Sequence, residues 1–66
     1  MMYIQFSYDQ EERESVEYGP YTFVQMTYDY LRAGDDSFDL VIAFNRDGLW
    51  ITADQQTWSD FNVYTK

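Results

Sequence analysis

From Met2 to Tyr8 apolar and polar positions alternate, with Met2, Ile4, Phe6 and Tyr8 on one face and Tyr3, Gln5 and Ser7 on the other. A period of two in residues of this kind predicts a β-strand. Val16 and Tyr18 resume the alternation beyond an acidic stretch, so Asp9 to Glu14 is expected to be a hairpin loop returning into a short second strand. The alternative is a helical turn capped by Ser7, with Gln10 three residues on. It would stack Asp9, Arg13 and Glu17 at i, i+4, yet leave almost no apolar stripe to bury.

Gly19-Pro20 is the clearest punctuation in the chain. Beyond it, from Tyr21 to Ala33, two signals conflict. Tyr, Thr, Phe and Val favour strands. Thr22 and Gln25 match a capping box, and Tyr21 with Met26 sits where a hydrophobic staple would be. Phe23, Val24, Thr27, Tyr28 and Leu31 recur at i, i+3, i+4, Arg32 suits a last turn and Gly34 suits C′. The boundary signals predict a helix here.

After an Asp35-Asp36-Ser37 loop, Phe38, Leu40, Ile42 and Phe44 alternate with Asp39, Val41, Ala43 and Asn45. Asn45-Arg46-Asp47-Gly48 predicts a type I turn followed by a glycine at positive φ. A strand from Leu49 to Ala53, a turn at Asp54 to Thr57 and a strand from Trp58 to Thr65 complete a C-terminal β-meander. The expected fold class is α+β: one compact domain over residues 1–66, with an antiparallel sheet of about four strands and one helix packed on one face. A single helix leaves the other sheet face bare, and Tyr3, Trp50 and Trp58 or Tyr64 are the residues expected on it.

Composition narrows the function. Twelve Asp and Glu against four Lys and Arg give a net charge of −8. That balance excludes direct nucleic-acid binding, which needs cations to replace phosphate counterions, and anionic membranes repel it. A charged partner would be basic. No apolar run approaches a membrane span, and Met1-Met2-Tyr3 lacks the basic start of a signal peptide, so a cytoplasmic protein is expected. With neither Cys nor His the chain has no disulfide, no zinc site of the usual kind and no Ser-His or Cys-His nucleophile. No cofactor is expected. Counted from Asp35, the calcium-loop positions that need Gly and Glu hold Leu40 and Arg46, so that match fails. A carboxylate pair could do acid–base work, but it needs a pocket that shifts a pKa, so an enzyme is not expected.

What remains is the acids and the rings. Asp9, Glu11, Glu12, Glu14 and Glu17 are the densest acidic run, flanked by Tyr8 and Tyr18, with Asp35, Asp36 and Asp39 as a second cluster. On an extended chain, same-side residues recur about every 6.7 Å, comparable with phosphate spacing along one nucleic-acid strand. Two Trp, five Phe and seven Tyr are more rings than so short a fold can bury completely. In size, charge and composition, though in no motif, the chain resembles small acidic inhibitors encoded by phages and mobile elements. These include DNA mimics with antirestriction or anti-CRISPR activity and inhibitors of repair enzymes. The resemblance implies a basic nucleic-acid-handling protein as partner, and the charge and ring pattern makes the ten residues just named its expected contacts. The bland reading of the same run is a solvated loop. The rival function is a structural domain that homodimerises through an aromatic sheet face, with Trp50 and Trp58 buried between subunits.

Overall fold

The computed structural model describes residues 1–8 and 11–66, all with their side chains except residues 11–14. Among these residues there is no helix. Eight strands follow one another: β1 (Met2–Tyr8), β2 (Glu11–Tyr21), β3 (Phe23–Met26), β4 (Tyr30–Asp35), β5 (Phe38–Arg46), β6 (Leu49–Thr52), β7 (Thr57–Trp58) and β8 (Asp60–Thr65). They form two antiparallel sheets, ordered β2-β1-β8 and β3-β4-β5-β6-β7. The fold is therefore all-β, not the α+β arrangement that the capping signals predict.

The expected helix over residues 21–33 is the β3–β4 hairpin, in which Val24 pairs with Ala33 and Met26 with Leu31. The strand preference of its Tyr, Phe, Val and Thr residues prevails because the capping groups find other partners. The Thr22 hydroxyl and the Thr22 N–H both donate to the Gly34 carbonyl, at 3.0 and 2.9 Å. The Thr27 hydroxyl donates to the Asp29 carboxylate at 2.8 Å and accepts from the Tyr30 N–H at 3.2 Å, which folds the turn. Gly34 is a close-approach residue rather than a helix terminator, since a Cβ there would lie 2.0 Å from the Phe38 carbonyl oxygen.

Two strands turn the corners between sheets. Only Thr22 separates β2 from β3, and only Ser59 separates β7 from β8. Strands that bend from one sheet into the other are the usual corners of orthogonally packed sheets. The interior holds Ile4 and Phe6 from β1, Leu31 and Ala33 from β4, Ile42 and Ala43 from β5, and Trp58 from β7. Val16, Tyr18, Val24, Leu40, Trp50, Phe61 and Val63 close around them. Fully burying a side chain of the Leu, Ile or Phe kind stabilises by about 1.5–3 kcal/mol, so this small core is the main source of stability.

Three local departures from simple alternation matter for the surface. In β5 the register slips between Leu31↔Ala43 and Arg32↔Val41, so Ile42 and Ala43 are buried in succession. This bulge flips every later side chain to the opposite face. Phe44, expected beside Ile42, stands outside. The break at Ser59 has the converse effect: Trp58, expected on the bare face, is buried at 5% exposure. Finally, Arg46 pairs with Leu49 across a two-residue loop in which Asp47 (φ 54°) and Gly48 (φ 78°) are both left-handed. That is a type I′ turn, whose twist matches a tight hairpin better than the expected type I. Gly19-Pro20, expected as a boundary, lies inside β2, where the pairing with β1 slips between Met2↔Tyr21 and Ile4↔Tyr18.

Candidate binding surfaces

The acidic run begins at the β1–β2 connection. Asp9 and Gln10 of the expected loop or capped turn lie outside the described residues. Glu11, Glu12 and Glu14 belong to β2, so the part of the run expected as a loop is largely strand. Among the described residues β2 is an edge of its sheet, paired with β1 alone. Glu11 is the partner of Tyr8 and Glu17 that of Gln5. Glu17 is exposed and holds an ion pair with Lys66, Nζ to Oε1 at 3.3 Å. The same ammonium sits 4.7 Å from the centroid of Tyr3, which stacks on Tyr64 at 5.9 Å. Tyr3 and Tyr64 thus share the outer face of the first sheet, as expected, while Trp58 does not.

Tyr8 and Tyr18, expected to anchor a partner, are half-buried at the rim of the core. The Tyr8 ring lies 5.6 Å from Trp58, and its hydroxyl shares a 2.9 Å hydrogen bond with that of Thr57. Tyr18 meets Phe6 edge to face at 5.8 Å. Both rings join strands, and only their margins reach solvent.

The second acidic cluster is split. Asp35 accepts hydrogen bonds from the Ser37 N–H at 2.9 Å and the Ser37 hydroxyl at 3.0 Å, which hold its carboxyl below the ordinary aspartate range. Asp36 is exposed beside it. Asp39 faces the other way and is paired with Arg32. The Asp35 turn adjoins Thr22 through Gly34, whereas Glu11 adjoins Tyr8 at the opposite end of β2. Glu11 and Thr22 stand about 36 Å apart along extended backbone at about 3.3 Å per residue, but Glu17 is only five residues from Thr22, so the acidic run extends along β2 toward the second cluster.

A third surface comes from the bulge in β5. Tyr30 pairs with Phe44, Arg32 with Val41 and Phe44 with Ile51, which puts these side chains together on the outer face of the second sheet. Phe44 is 58% exposed and Val41 is also exposed. A groove of about 410 Å³ runs along one side of Phe44, lined by Asp29, Asn45, Arg46, Ile51 and Gln55. A second of about 410 Å³ lies on the other side, between Tyr30, Arg32, Asp39, Leu40 and Val41. Alternation alone hides this face, because it assigns Phe44 to the core. The usable signal is the run Leu40-Val41-Ile42-Ala43-Phe44, five apolar residues where a strand with one wet face should alternate.

Among the described residues no three acidic side chains gather as ion ligands, and no buried side-chain polar atom lacks a partner. The two grooves beside Phe44 are open to solvent rather than enclosed. No protein-family model, curated protein or solved structure matches the chain.

Proposed function

We propose that this protein is a small acidic inhibitor that binds a basic nucleic-acid-handling protein and occupies its nucleic-acid groove. CRISPR effectors, restriction enzymes and repair enzymes are targets of the right kind. In this reading the gene belongs to a phage or mobile element, and the protein acts in the host cytoplasm without a cofactor. The observation that carries the reading is that Glu11, Glu12, Glu14 and Glu17 lie on one strand at a sheet edge. An extended backbone spaces same-side carboxylates by about 6.7 Å, and an edge strand can enter a groove. Of the four positive charges, Lys66 neutralises Glu17 and Arg32 neutralises Asp39, which leaves the overall balance strongly acidic. Attraction of this type is fast, long-range and weakened by salt. The same charges protect the edge from pairing with stray strands.

The test is affinity capture from a host lysate at low salt, followed by competition between this protein and nucleic acid for the captured partner. The partner should be basic, should release its DNA or RNA, and should lose affinity steeply as salt rises. Replacing Glu11, Glu12, Glu14 and Glu17 together by Gln should weaken binding by at least about tenfold, the equivalent of about 1.4 kcal/mol. A partner that holds nucleic acid and this protein at once would sink the proposal, as would full affinity in the Gln variant.

A further inference from the structure

We propose that the outer face of β4, β5 and β6 binds a second copy of this chain about a two-fold axis, each Phe44 seating in a groove beside the other. This goes beyond the inhibitor reading and does not rest on it.

Shape gives the first argument. A largely exposed ring and two grooves of about 410 Å³ lie side by side on one face. A knob and a hole on the same patch are what an isologous interface requires, because a two-fold rotation carries each onto the other. Tyr30, Val41 and Ile51 surround the knob with further apolar surface that water leaves at a gain.

Charge selects the occupant. Two copies each at −8 repel one another over most orientations. This face is the exception. Arg46 and Asp29 line one groove, and Arg32 with Asp39 lines the other, so two of the four cations of the chain are matched here by two acids. Each groove carries one charge of each sign, and a two-fold operation can therefore set Arg46 of one copy against an acid of the other. A strongly basic partner would instead meet both arginines.

Size sets the strength. Strands about 4.8 Å apart and about six residues deep make the face of β4, β5 and β6 roughly 14 by 20 Å. That is on the order of 300 Å² per copy, below the roughly 1,000 Å² in total of a stable specific interface. The expected dimer is therefore weak and forms at high protein concentration.

Sedimentation equilibrium over a wide concentration range, at low and high sodium chloride, reads the proposal. The wild type should dimerise, and salt should leave the dimer intact or tighten it, because screening relieves the net repulsion. Phe44→Glu should raise the dissociation constant by at least about tenfold while the melting curve stays close to wild type. Val41→Glu, on the neighbouring position, is the second variant should the first fold poorly. The four-acid Gln variant should dimerise as well as wild type or better, so this outcome is separable from the fate of the inhibitor reading. A wild type that stays monomeric at every concentration overturns the proposal. So does unchanged dimerisation in a folded Glu variant, or a Phe44→Glu variant that loses only the binding of a basic target.

Discussion

The Trp58 indole nitrogen donates to the Thr52 hydroxyl at 3.3 Å, and both side chains are buried. That hydroxyl in turn donates to the Asp54 carboxylate, so one oxygen joins the core to the β6–β7 turn. Thr52→Val keeps the shape but leaves the indole N–H without a partner. It should cost about 1–3 kcal/mol in a urea unfolding curve followed by tryptophan fluorescence, the usual penalty for a stranded buried donor. Thr52→Ser should recover most of the loss.

Phe6 and Phe44 separate core from surface in the same residue type. Phe6 is fully buried against Tyr18 and Phe61. Phe6→Ala should cost about 3–5 kcal/mol, enough to unfold much of the population of a domain this small. Phe44→Ala should change the stability of dilute monomer by no more than about 0.5 kcal/mol. Thermal melts at low concentration compare the two directly.

Gly34→Ala tests the close packing of β4 on β5. The new methyl would overlap the Phe38 carbonyl, so the strands must part. Overpacking of this sort costs about 1–3 kcal/mol and sometimes more. At Gly48 the space is open and only the positive φ resists a side chain. Gly48→Asn, which tolerates that conformation, should therefore be nearly neutral by the same denaturant measurement.

The pH dependence has two ends. Asp35 titrates lower in the folded chain than in an unfolded one because Ser37 donates to its carboxylate. Its contribution is present above the unfolded value and is lost as pH falls through the folded value. Tyr21 moves the opposite way: burial raises its pKa above 10.0, and the neighbouring Tyr18 adds to the shift. Stability from that phenol is present below the unfolded value and is lost as pH rises through the folded one. Carboxyl chemical shifts for Asp35, and alkaline absorbance of wild type against Tyr21→Phe, check the two directions.

Period two located β1 over its full length and gave β5 and β6 nearly their observed bounds. It could not register the bulge at Ile42 or the bend at Ser59, because one extra or kinked residue inverts a face without changing composition. The helix expected over residues 21–33 failed for a different reason. Its capping box is a short-range signal, and the Thr22 hydroxyl is claimed by Gly34, twelve residues away. Thr27 and Tyr28, read as part of the i, i+3, i+4 stripe, lie in the turn with Asp29, where hydroxyl and carboxylate bond to each other. For the sites, the acids were legible as a run and a second cluster, but the placing of the run on an edge strand was not. The Phe44 surface depends wholly on the bulge.

The ends of the chain meet: the Lys66 N–H donates to the Met1 carbonyl at 3.1 Å, and β1 pairs with β8 along its length. Among the described residues every other ladder joins sequence neighbours, so most of the topology can form by local zippering in which each hairpin templates the next. The pairing of β1 with β8 instead closes a long loop, and its entropy cost grows with the logarithm of the loop length. That step should therefore slow the folding of these strands most. Covalent joining of the two ends through a short flexible segment would lift the penalty from the unfolded ensemble. A cyclic chain should then fold faster and melt at a higher temperature, with its surfaces unchanged.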